Sequence, residues 1–69
     1  MSKLLRIERY SWRGQNYETW IIQREEGRYM AKTMLGVDDC IITDGDSEDE
    51  VLGRHMKVLP GALLARDCS

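Results

Sequence analysis

Phenylalanine is absent from this chain of 69 residues, proline occurs once, and cysteine occurs twice, at Cys40 and Cys68. Two cysteines without C-x-x-C spacing make neither a disulfide framework nor a zinc site, so reduced, structural thiols are expected. No apolar run approaches the roughly 18 to 20 residues of a membrane helix. Residues 1–15 carry Arg and Glu where a signal peptide would be apolar. No membrane association is therefore expected, and the cytoplasm is the expected location. Neither a G-x-G-x-x-G nor a Walker pattern occurs, so no nucleotide cradle is expected, and no cofactor. With Phe missing, other residues must supply bulk, and the aromatics and Met30, Met34 and Met56 are expected to fill the core.

What is present reads as an ordered soluble domain: 42% hydrophobic, 32% charged, net charge −2. A chain of 8.0 kDa hides only about 60% of its unfolded surface on folding. That allows one small core and one domain, residues 1–69, and leaves little room for a cofactor pocket. It also makes a second copy a natural source of extra burial. A homodimer is expected, the more so because a short sheet leaves edge strands with unpaired amides.

The first half alternates. Leu5 and Ile7 are expected on one strand face and Tyr10 and Trp12 on the other, before Arg13, Gly14, Gln15 and Asn16 turn the chain. Residues 17–24 are rich in aromatic and β-branched side chains and suit a half-buried strand. Glu25, Glu26 and Gly27 read as a tight hairpin, residues 28–35 return, and residues 40–43 form a short fourth strand. Strands joined by short turns pair antiparallel.

The period changes after Asp44. Ser47 to Glu50 has the S-x-x-E form of a capping box, in which each side chain is expected to bond the other residue's amide. Val51, Leu52, His55, Met56 and Leu59 then make a single apolar stripe, predicting a helix over 48–59, which Pro60 and Gly61 end or kink. Residues 62–65 read as one docked turn or a short terminal strand. The expected fold is α+β: a three- or four-stranded antiparallel meander with one main helix on one face, burying Trp20, Ile22, Leu52 and Met56.

Charge is unevenly placed. Residues 1–30 hold six bases and four acids, whereas residues 38–50 hold seven acids and no base. Such polarity repels nucleic acid and attracts a basic partner, although a run of charge is often only a solvated helix entrance. The acids do not spell a calcium loop: counting from Asp44, the sixth and twelfth places are Asp49 and His55, where Gly and Glu are required. His55 is the single histidine, with no nucleophile signature beside it, and reads as structural. Trp12, Tyr17, Trp20 and Tyr29 with Arg13, Arg24 and Arg28 offer a possible stacking face for single strands, but a pI of about 5.3 speaks for core packing instead.

The run 25–65 resembles the HicB-like antitoxin family. Glu26, Gly27, Arg28 and Tyr29 look like its Gly-aromatic turn, and Asp39 and Cys40 like its Gly-Cys step. Gly45 to Val51 looks like its helix opening, and Leu59, Pro60, Leu63 and Leu64 like its late Pro and leucines. The family's Pro-Asp-Leu-Pro-Gly stretch is here Met34 to Asp39 without prolines, one residue more separates Cys40 from Gly45, and no DNA-binding arm is expected after the core. The resemblance implies a partial ribonuclease-H-like sheet crossed by one helix. It also implies a non-enzymatic inhibitor of a small basic ribonuclease toxin. Asp44, Asp46, Glu48, Asp49 and Glu50 are the residues expected to meet that partner. Two other readings stand beside it: a phage or mobile-element inhibitor that mimics nucleic acid, and a small sheet protein binding single-stranded nucleic acid.

Overall fold

A computed structural model describes residues 2–67. Four strands, β1 (Lys3–Trp12), β2 (Gln15–Gln23), β3 (Tyr29–Gly36) and β4 (Asp39–Gly45), are followed by one helix, α1 (Glu48–Asp67). The strands pair antiparallel in the order β1-β2-β3-β4, which is the expected α+β meander in its four-stranded form. The helix lies over β3 and β4, so the β1–β2 hairpin reaches past it and the molecule measures 37 × 20 × 18 Å.

Turn chemistry fixes the register. Arg13 and Gly14 both have positive φ, 47° and 82°, the signature of a two-residue hairpin turn whose twist matches the strands, and Trp12 and Gln15 close it. The Arg13 guanidinium lies 5.3 Å from the centre of the Trp12 ring. Between β2 and β3 the amide of Gly27 donates to the Arg24 carbonyl at 3.0 Å and the amide of Arg24 to the Arg28 carbonyl at 2.7 Å. Gly27 has φ 86° with open space around its α-carbon, so Gly27→Ala meets no clash and carries only the left-handed backbone penalty. A loss of about 1 kcal/mol is expected in urea unfolding.

Strand alternation sorts the residues differently from expectation at several places. A register shift between Leu4 and Arg6 makes Leu5 an extra residue in β1. The bulge turns Leu5 onto the core, while Ile7 pairs with Trp20 on the opposite face, so Leu5 and Ile7 do not share a side. The fully buried side chains are Thr19, Ile21, Ala31 and Thr33 from the sheet and Val51, His55 and Leu59 from the helix, joined by the nearly buried Leu63. Trp20 is therefore not in the core, and Ile22, Leu52 and Met56 are only partly buried. Met34 is exposed rather than a core filler, and so is the Cys40 thiol; Cys68 lies outside the described residues.

The helix does not stop at Pro60. It continues to Asp67, where a docked turn or strand was expected. Proline in a helix interior removes one hydrogen bond and costs about 3 kcal/mol. Two contacts offset that cost. Leu63 extends the buried row Val51, His55, Leu59 by one more turn, and Arg66 reaches across to the Asp39 carboxylate at the start of β4 with two donors, one at 2.7 Å. The Arg66 guanidinium holds the Asp39 carboxyl below its usual range, and Asp39 in turn raises Arg66.

Candidate protein-interaction surfaces

The five expected contact residues do come together, at the corner where β4 enters α1. Asp44 and Asp46 flank the buried Gly45, and Glu48, Asp49 and Glu50 form the first helical turn, where the helix dipole favours negative charge. The cap forms in part as the S-x-x-E pattern specifies: the amide of Glu50 donates to Ser47 Oγ at 3.1 Å. The Glu50 carboxylate reaches further back than expected, accepting from the amide of Asp46 at 3.2 Å rather than from Ser47. A Cβ at position 45 would lie 2.8 Å from Glu50 Oε1, so the lack of a side chain at Gly45 gives that carboxylate its place.

The corner is not a bare negative patch. Arg28 contacts Asp46 at 2.9 Å and Asp44 at 3.7 Å, Arg6 lies 3.9 Å from Glu48, and Arg54 lies 3.6 Å from Glu50. Arg54 also donates to the Asp44 carbonyl at 3.2 Å. Asp49 is exposed and stands in no ion pair among the described residues. Four of the five carboxylates therefore meet three guanidinium groups. The uneven distribution of charge along the sequence is partly cancelled by folding, because register brings Arg28 beside the end of β4 and the sheet brings Arg6 beside the helix start.

A second surface lies on the sheet face away from the helix. Pairing places Ile7, Trp20, Lys32 and Ile42 in one row across all four strands, and Leu4, Ile22, Met30 and Asp44 in the next. Arg9 pairs with Glu18 on the other side of the central row, as Met34 does with Cys40. Leu4, Ile7, Trp20, Met34 and Ile42 are 41 to 54% exposed. An open basin of about 760 Å³ lies at one end, framed on this face by Arg9, Asn16, Glu18, Trp20, Lys32 and Met34. The aromatic residues do not gather into one stacking platform: Trp20 is on this open face, whereas Tyr17 and Tyr29 alternate to the helix side.

His55 is at the centre of the buried helix row. Its Nε2 lies 2.6 Å from Thr33 Oγ1 and its Nδ1 2.9 Å from Thr43 Oγ1, and Thr33 Oγ1 is 2.6 Å from Thr19 Oγ1. A neutral imidazole donates through one nitrogen and accepts through the other, and each hydroxyl can rotate to match. Burial lowers the His55 pKa and keeps the ring neutral. Both nitrogens are thus occupied by structural hydroxyls, with no face open to solvent.

Comparison of the chain with protein-family models, with curated proteins and with solved structures returned no match.

Proposed function

We propose that this chain is a non-enzymatic inhibitor of the antitoxin type that blocks a basic protein partner, such as a small ribonuclease toxin, through the corner formed by Asp44, Asp46, Glu48, Asp49 and Glu50. The observation that supports it is the gathering of five exposed or half-exposed carboxylates on a rigid, capped helix entrance. The internal ion pairs there are solvent-exposed, and such pairs are worth about 0 to 1 kcal/mol each, so a partner's arginines can exchange with Arg6, Arg28 and Arg54 at little cost. Long-range attraction then speeds encounter, and desolvated pairs in the complex hold it. The imidazole of His55 is enclosed by hydroxyls, which favours a structural over a catalytic role.

Neutralising Asp46 and Asp49 together leaves the Ser47 cap intact. The double variant Asp46→Asn, Asp49→Asn is expected to bind a basic ribonuclease-type partner about tenfold more slowly at low salt, with a flatter salt dependence, while unfolding changes by less than about 1 kcal/mol. Association rates equal to the parent's at both low and high salt would remove the corner from the interface. The reading that the protein mimics nucleic acid against another host enzyme uses the same corner and is separated by which basic protein is inhibited.

A further inference from the structure

We infer that the open sheet face is the interface of a homodimer, in which two copies pack sheet on sheet about a two-fold axis running along the strands. The face is too apolar for a permanently solvated surface. Seven of the eight side chains in its two central rows are Leu4, Ile7, Trp20, Ile22, Met30, Ile42 and the aliphatic stem of Lys32, and Met34 and Cys40 extend it. Soluble monomers rarely expose contiguous apolar patches larger than a few hundred Å². Four strands about 4.8 Å apart, over six residues at about 3.3 Å each, give a footprint of roughly 400 Å² before side-chain relief is counted. That span already includes the rim charges Arg9, Glu18 and Asp44, and side-chain relief raises the accessible area towards the roughly 800 Å² per partner of a standard interface.

The monomer's shape points the same way. It exposes 4736 Å², against about 4,450 Å² expected for this mass. Its radius of gyration is 12.2 Å, against about 11 Å for a compact chain of this length. Among the described residues a helix covers one face and no element covers the other, which is half of a layered sandwich. A second copy supplies the missing layer, at the usual sheet separation of about 10 Å.

Lys32 selects the axis. Two two-fold axes can stack the faces. An axis across the strands sets each residue of a strand against the same strand of the partner, bringing Lys32 onto Lys32 of the partner in an apolar layer, which is costly. An axis along the strands sets β2 over β3 of the partner. Trp20 then faces the partner's Lys32, a cation over an indole, and Ile7 faces the partner's Ile42. Like charges are kept apart and the apolar ends meet. The same axis leaves both helix entrances at one end of the dimer, so two acidic corners are displayed side by side.

Sedimentation equilibrium of the parent chain across the micromolar range is expected to give twice the 8.0 kDa chain mass. Trp20→Lys and Ile42→Lys should each weaken association by about 100-fold or more while the circular dichroism of sheet and helix is kept. The two substitutions sit on different strands, so the outcome does not hang on one variant folding. A parent that stays at the single-chain mass at high micromolar concentration overturns the dimer, and the face is then left for another protein. Variants that remain dimeric overturn the sheet-face interface in favour of pairing through the edges of β1 or β4. Mixing Lys32→Glu with the parent tests the axis: along-strand packing gives statistical exchange, whereas a marked preference for the mixed dimer would mean Lys32 faces its own copy. Asp46→Asn with Asp49→Asn should leave the dimer intact, so failure of the inhibitor reading is distinguishable from failure of this one.

Discussion

Replacing His55 by alanine is expected to remove about 3 to 5 kcal/mol of stability, most of what a chain of this length possesses. The imidazole is fully buried between Val51 and Leu59 along the helix row. Its loss creates a cavity and removes one partner each from Thr33 and Thr43; Thr33 keeps Thr19, whereas the Thr43 hydroxyl is orphaned at a cost of about 1 to 3 kcal/mol unless water enters. Urea unfolding followed by circular dichroism measures this, and a loss below about 1 kcal/mol would show that the network is dispensable. His55→Leu keeps the volume and should cost less than alanine, since only the hydrogen bonds go.

The same residue sets a pH dependence. Burial depresses the folded-state pKa of His55 below its ordinary 6.5, whereas the unfolded chain takes up the proton near that ordinary value. Between the two values the unfolded state holds more protons, so stability is full above about pH 6.5 and falls as the pH drops towards the folded pKa. The groups facing the ring are the hydroxyls of Thr33 and Thr43, with Thr19 behind Thr33, and among the described residues no carboxylate bonds to it to hold a positive charge. His55→Leu should abolish the slope in this window. The loss that comes from Asp39, whose carboxyl is held low by Arg66, belongs to the separate range below its ordinary 3.8.

The meander and the helix entrance were legible in the sequence because their signals are local: turn residues at Arg13, Gly14 and Gly27, β-branched and aromatic runs, and Ser47 with Glu50. The end of the helix was not, since what carries it past Pro60 is long-range, namely Leu63 on the sheet and Arg66 on Asp39. The acidic corner was visible as a run of charge, but the arginines that answer it are 18 residues away in the case of Arg28 and Asp46. The buried polar network was hidden for a different reason. Thr19, Thr33 and Thr43 are unremarkable strand residues one at a time, and only their convergence on His55 makes them a core.

The two faces of the sheet are the feature the sequence pattern distinguishes least. In β2 both alternating sets contain apolar residues, Thr19 with Ile21 on one side and Trp20 with Ile22 on the other, so size favours Trp20 as the anchor of the core. The helix instead covers Ile21, fully buried against Ala31 and Val51, and leaves Trp20 45% exposed. Ile21→Ala is therefore expected to cost about 4 kcal/mol, the transfer of its side chain plus a cavity that the sheet and helix cannot close. Trp20→Thr keeps a strand-favouring side chain and should cost the monomer about 1 kcal/mol, the worth of its cross-strand contacts with Ile7 and Lys32. The comparison is made by urea unfolding at a dilution that keeps the chain monomeric, because dimerisation would add its own concentration-dependent stability. A larger loss at Trp20 than at Ile21 would mean that the helix packs on the other face of the sheet.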